Sequence, residues 1–315
     1  MASINRTTLV EGPAIVQFGG KTYYTREAIT LDPGISTFDV SDTAHGVMDT
    51  RIEDIVGTIK FRPVGVWGNI HPLFSPFADP VIGSSLLGGS DADAVIHSLD
   101  GRKITCHGAG VTKLPDLTFS AVEQLPGEVE ITFLGTNNVE WSNASKRLVE
   151  AAQEFTDTGY DPATVLTQPY AVTLGGGASA LSLETEAGVT VSFEIGAEPR
   201  KTDSYGTVDI RLSSFKVSAK FRPVGMSAAD YLALFPMQGT GVERGVSMGG
   251  AGKPLVISGT GVYFALFGAA PSVGSVVFNA GENRVGELTL QAVRTYASGA
   301  LQPIFAIDTA APSAS

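Results

Sequence analysis

Cys106 and His107, with His45, His71 and His97, are the residues from which a nucleophile, an acid–base pair or a metal site would have to be built. On an extended chain Cys106 and His107 point to opposite faces, so they cannot work as a thiolate–imidazole pair, and the histidine spacing fits no zinc pattern. Asp91 and Asp93 offer carboxylates to Mg²⁺ or Ca²⁺, but they lie in a Gly/Ser/Asp loop with no further ligand pattern and read as a solvated loop. There is no G-x-S-x-G elbow and no G-x-x-x-x-G-K-[ST] loop. The glycine-rich stretch from Gly239 to Gly252 departs from G-x-G-x-x-G and follows a helix candidate rather than a strand. No carboxylate pair is marked out for glycoside hydrolysis. The expectation is a chain without catalytic, cofactor or metal residues. Cys106 is the single cysteine, which excludes an intrachain disulfide and fits a reducing compartment.

What remains as a carrier of function is contact-making polar loops. Asp39 to Thr50, DVSDTAHGVMDT, and Gly196 to Gly206, GAEPRKTDSYG, are polar tips flanked by strand-like alternation. Loops on rigid sheets are where contacts are usually made. Asp39, Asp42, His45, Met48 and Asp49 in the first tip, and Arg200, Lys201, Asp203 and Tyr205 in the second, are therefore candidates for arms that reach a neighbouring subunit.

The elements that must position these tips announce themselves by repetition. KFRPVG occurs at Lys60 to Gly65 and again at Lys220 to Gly225, and the flanks agree: Arg51 with Arg211, Ile55 with Phe215, Gly108-Ala-Gly-Val111 with Gly259-Thr-Gly-Val262. The last of these sets Ile257 and Ser258 opposite Cys106 and His107. Within each copy the period is two: Ile55, Gly57, Ile59 and Phe61 alternate with Val56, Thr58, Lys60 and Arg62, and Phe215, Val217, Ala219 and Phe221 with Lys216, Ser218, Lys220 and Arg222. The 37 glycines and 17 prolines divide the chain into many short segments of this kind. The fold expected is mainly β: two tandem copies of a sandwich or barrel domain, each with one short α-helix. Residues 1–141 hold the first copy, 142–169 a connector and 170–315 the second.

Ser227 to Asp230 resembles a capping box that opens a helix through Phe235, stopped by Pro236. The equivalent Trp67 to Phe74 carries Gly68 and Pro72, which predicts a shorter or irregular helix. Leu148, Ala152 and Phe155 share a helical face within Ser142 to Phe155, the expected connector helix. Pro254 to Gly281 is apolar, yet its glycines and Pro271 predict two buried strands and a turn rather than a membrane span. Lys60, Arg62, Lys220 and Arg222 lie on the polar face of their strands and are expected to meet acidic groups of a neighbouring subunit.

Thirty-two acidic against 21 basic side chains give a net charge of −11, so no basic footprint for nucleic acid or an anionic membrane is present. The excess is uneven: 11 basic and 20 acidic residues up to Tyr160, 10 and 12 after it. The N-terminal stretch lacks the basic start and apolar core of a secretory signal, so no export is expected.

With a duplicated β-domain, one helix per copy, a long polar hairpin before each FRPVG strand, acidic charge and no catalytic constellation, the chain resembles the tail tube (major tail) proteins of tailed bacteriophages, of the tandem two-domain kind. The resemblance implies a structural virion protein made in the host cytoplasm. Its copies would form homotrimeric, pseudo-sixfold rings that stack into a tube and meet tape-measure and tail-end proteins. DNA would pass through the lumen without sequence-specific binding, helped by an acidic wall that repels phosphate. Another virion part, a capsid decoration or fibre protein, or a non-catalytic β-sandwich binding module is the competing expectation.

Overall fold

A computed structural model describes residues 14–87, 92–98, 101–121, 127–135, 148–153, 170–176, 180–203, 206–232, 234, 253–274, 276–278, 283–297 and 299–311. The first half runs through β1 (Ala14–Phe18), β2 (Lys21–Tyr24), β3 (Thr30–Asp32), β4 (Ile35–Asp42), β5 (Gly46–Ile55), β6 (Gly57–Phe61) and α1 (Trp67–Phe74). It continues through β7 (Ala94–Ser98), β8 (Arg102–Cys106), β9 (Ala109–Lys113), β10 (Leu117–Phe119), β11 (Val129–Phe133) and β12 (Leu148–Ala152). One sheet has the order β12-β8-β7-β1-β2 and a second β3-β6-β11-β9. The chain bends from one into the other at two places. Between β2 and β3 the bend is tied down by a Thr25–Pro63 bridge and the Arg26 N–H on the Arg62 carbonyl, 2.9 Å. Between β8 and β9 it passes through Gly108 at φ +63°, where a Cβ would lie 1.8 Å from the Gly135 carbonyl oxygen. Only glycine fits that corner. Alternate residues of the second sheet, Ile59, Phe61, Val129 and Ile131, are almost fully buried in the core.

The second half contains β13 (Ala171–Leu174), β14 (Leu181–Thr202), β15 (Gly206–Val224), α2 (Ala228–Leu232), β16 (Lys253–Gly259) and β17 (Val262–Val273). A small hairpin of β18 (Val276–Phe278) and β19 (Asn283–Val285) follows, then β20 (Leu288–Ala292), β21 (Tyr296–Ala297), β22 (Ala300–Leu301) and β23 (Phe305–Asp308). The pairings β13–β16, β16–β17, β17–β20, β20–β15, β15–β14 and β14–β13 close on themselves, which removes the open edges a flat sheet would carry. Val217, Ala219 and Phe221 face inward, while Lys216, Lys220 and Arg222 are exposed, as the alternation predicts. Leu255, Ile257, Phe264, Leu266, Leu288 and Phe305 are all fully buried, each stabilising the fold by about 1.5–3 kcal/mol. The apolar stretch from Pro254 is the expected pair of buried strands, turning at Gly261 with φ +69°. No described helix is long and apolar enough to cross a membrane.

One expectation is corrected. Of the connector helix expected over Ser142 to Phe155, the described part, residues 148–153, holds strand β12 instead, whose backbone pairs with β8 from Leu148–Cys106 to Ala152–Arg102. The i, i+4 apolar spacing there is outweighed by an available sheet edge that satisfies the strand's backbone groups. The first helix is irregular, as expected, and passes directly into a 3₁₀ turn over Ser75–Phe77. α1 has eight residues with Pro72 inside and no side-chain cap at Val66; the buried stripe Trp67, Ile70, Leu73 and Phe74 holds it. The missing Pro72 N–H would have bonded Gly68, four residues back. The second helix does open on the expected box, with the Asp230 N–H on Ser227 Oγ at 3.0 Å and the hydroxyl on Asp230 Oδ2 at 2.6 Å. Its extension through Phe235 to Pro236 lies largely outside the described residues.

Candidate assembly interface

The two halves meet through unlike surfaces. On the first half the contact is made by β10, α1, the loop after α1 and Asp54 of β5. β10 leaves its own half and adds to β14, pairing Leu117 with Val191, Thr118 with Thr190 and Phe119 with Val189. Gly188, at φ +86°, lets the Phe119 carbonyl approach; a Cβ there would be 2.2 Å from it. The buried face of α1 lies on aromatic residues of the second half. Phe74 packs on Phe193 with ring centroids 4.8 Å apart, Phe77 stacks on Phe215 at 5.7 Å, and Trp67 Nε1–H donates to the Asp308 carbonyl at 2.7 Å. Beyond the helix, residues 83–86 lie along β15 like an added strand. The Gly83 and Leu86 N–H groups donate to the Leu212 and Ile210 carbonyls, and the Leu212 N–H donates to Ser84.

The candidate arms are two ribbons, β4–β5 and the outer parts of β14 and β15. Asp39, Asp42, His45, Met48 and Asp49 all lie on the first ribbon, which is exposed along nearly its whole length. Its acids largely serve the ribbon itself. Asp42 accepts from the His45 and Ala44 N–H groups and pairs with His45 Nδ1 at 3.1 Å; the His45 backbone bond above all holds its carboxyl below the usual range. Asp49 is held low chiefly by its bond from Arg51, 2.9 Å, and Asp39 accepts from Thr50 Oγ1 at 2.8 Å. The apolar residues of the ribbon, by contrast, are uncovered: Phe38, Val47, Met48 and Ile52 are all exposed. Arg200 and Lys201 lie on the second ribbon and Asp203 in its turn; Tyr205 lies outside the described residues.

Where the second ribbon passes the base of the first, Asp54 is the joint. Its side chain is only 8% exposed, yet it accepts from the Ile55 and Thr207 N–H groups at 2.9 Å each, from Thr207 Oγ1 at 2.5 Å, and lies 3.2 Å from Lys201 Nζ. Burial works to raise its pKa, but these donors outweigh it and hold the carboxyl below the usual range. Sequence reasoning missed Asp54: a single carboxylate in a strand becomes a joint only when a partner 153 positions away arrives.

The four strand cations do not need a neighbour for an acidic partner. Lys60 pairs with Glu130 at 3.2 Å, Arg62 with Glu27 at 3.3 Å, Lys220 with Glu287 at 2.9 Å and Arg222 with Glu186 at 3.0 Å, all within the chain. Each lysine or arginine is about half exposed, so each pair adds little stability. The chain matches no known family model and no curated protein sequence. Its fold and contacts therefore carry the functional reading.

Cys106 is fully buried, and burial pushes its thiol up to about 12, while His107 turns to Asp93 at 2.9 Å. Asp93 is thereby engaged and Asp91 lies outside the described residues. No group of three or more metal-ligating side chains is gathered among those described. A cleft of about 330 Å³ between α1, the loop at Val81–Leu87 and Leu212 is lined mostly by apolar residues, with Ser84, Ser85 and Tyr23 as its polar side chains.

Proposed function

We propose that this chain is a structural subunit of a bacteriophage tail tube, built from two tandem copies of one β-barrel domain. Three chains form a pseudo-sixfold ring, and rings stack into a conduit for DNA. What supports the tandem reading is strand register. Ile35 pairs with Ile55, and 160 positions on Ile195 pairs with Phe215. Bulges follow Ser36 and Gly196, and again Val40 and Arg200. Thr30–Lys60 corresponds to Thr190–Lys220, and Ile131–Ile59 to Leu290–Ala219. Ile131–Val111 and Leu290–Pro271 each adjoin a bulge, and Leu148–Cys106 corresponds to Phe305–Leu266 at the sheet edge.

This correspondence sharpens the copies. The first runs through β12 to Ala152 rather than stopping at 141. Cys106 and His107 stand opposite Leu266 and Phe267 rather than Ile257 and Ser258, and the arm tip Asp39–Thr50 stands opposite Pro199–Ile210.

The observation that carries the functional reading is the unlike contact between two register-matched halves. A contact of one surface with a different surface propagates from unit to unit, and when its rotation closes it generates a ring. Paired barrels would line the lumen, and the net charge of −11 suits a wall along which DNA slides without sequence-specific binding. Tape-measure and tail-end proteins are the further partners, and the tail of the virion is its place. Negative-stain images of the concentrated, purified protein test this: stacked rings or tubes are expected, and compact isolated particles only would overturn it.

A further inference from the structure

The contact inside the chain joins β10 of the first half to the β14 edge of the second, while their counterparts, β18 and the β3 edge, are not paired with one another. On the second half, β14 receives β10 along Val189–Val191, and both valines are fully buried. The same register position on the first half is Ile29–Leu31. There β3 ends its sheet, paired with β6 on one side and with no strand on the other among the described residues, and Thr30 is exposed. Nearby the contrast repeats: Leu212 is 2% exposed under the Ser84 loop while its counterpart Ile52 is 49% exposed, and Phe305 is fully buried while Leu148 is 38% exposed. At these positions the first half is less covered than the second: Ile29 and Leu31, in line with the two valines, are half-buried against the core, and Ile52 is exposed.

The segment that would cover them also exists. Between β17 and β20, where the first half has β10, the second half has β18, with Val276-Val277-Phe278 at the place of Leu117-Thr118-Phe119. Among the described residues β18 pairs with β19 in a two-stranded sheet and with no other strand, which leaves one of its edges open there.

We propose that Val276–Phe278 of one chain adds to the β3 edge of the next, pairing Val276 with Leu31, Val277 with Thr30 and Phe278 with Ile29. This β-strand addition is the head-to-tail bond of the ring, and main-chain hydrogen bonds supply its attraction. The occupant is a second copy of this chain because the donor strand, the acceptor edge and the exposed apolar residues around it are all supplied by the same sequence. The two edges differ at one place: Ala28 stands where Gly188 admits the Phe119 carbonyl, so the pairing covers Ile29–Leu31 and stops short of Ala28. The inference rests on the tandem, self-assembling reading above and gives it a register.

Cysteine cross-linking tests it on the full chain, with buried Cys106 left in place. The variant carrying Thr30→Cys and Val277→Cys should give covalent oligomers on non-reducing gels after mild oxidation. The variant carrying Thr118→Cys and Thr190→Cys, which joins the observed pair of β10 and β14, should oxidise within one chain and run as a monomer. Asp32→Cys with Val277→Cys, two positions out of register, should cross-link at least tenfold less. If particles assemble and the Thr118/Thr190 control oxidises but the Thr30/Val277 variant stays monomeric, this edge pairing is wrong while the tube reading stands. If the unmodified protein is monomeric at every concentration, both fall.

Discussion

Replacing Asp54 by alanine should loosen the joint between the two ribbons, and the structure sets the size of the effect. The carboxylate takes two backbone N–H groups and the Thr207 hydroxyl in a site where its residue is 5% exposed. Leaving a buried donor unpaired costs roughly 1–3 kcal/mol, and water entering at the ribbon edge returns part of that. Lys201 is 58% exposed, so its share is small. The expected loss for Asp54→Ala is about 3 kcal/mol. Asp54→Asn keeps one acceptor and should lose about 1–2 kcal/mol. Urea unfolding followed by circular dichroism at about pH 7 reads both. Because the folded-state pKa of Asp54 is depressed, its contribution is present above the unfolded carboxyl value of about 3.9 and disappears as pH falls through the lower folded value. The gap between the parent protein and Asp54→Asn should therefore close in acid. A loss within about 0.5 kcal/mol for Asp54→Ala, or a gap that widens below about pH 4, would refute this account of the joint.

Phe193→Ala removes the ring shared by Phe74, Phe264 and Phe305 and should cost about 3–5 kcal/mol in the same unfolding assay. Gly34→Ala should cost at least about 2 kcal/mol, since Gly34 has φ +61° and a Cβ there would fall 1.7 Å from the Val56 carbonyl oxygen; a near-neutral result would contradict that corner. Cys106 should resist an aromatic disulfide reagent at about pH 8 in the native protein and react fully in denaturant, with prompt native labelling as the contrary outcome. Deleting Asp42 to Met48 should leave the far-ultraviolet spectrum and unfolding midpoint nearly unchanged and reduce tube length in negative stain. Tubes of undiminished length would remove the ribbon tip from the stacking contact.

Period-two alternation, glycine corners and the doubled KFRPVG were enough to predict a mainly β chain, because strand faces are set locally by which residues tolerate water. Val217, Ala219 and Phe221 face inward as that pattern requires. The same local logic found the Ser227–Asp230 cap and the strand pair after Pro254. It failed where a remote partner outweighed local preference: residues 148–152 are a strand because β8 offered an edge. Asp54 shows the limit most plainly. Its type and position were legible, but its buried joint with Thr207 exists only once the two ribbons lie side by side. The doubled KFRPVG was visible in the letters; which surface of one half meets which surface of the other was decided by packing, since contact between distant segments depends on shape and burial that no short stretch of sequence contains.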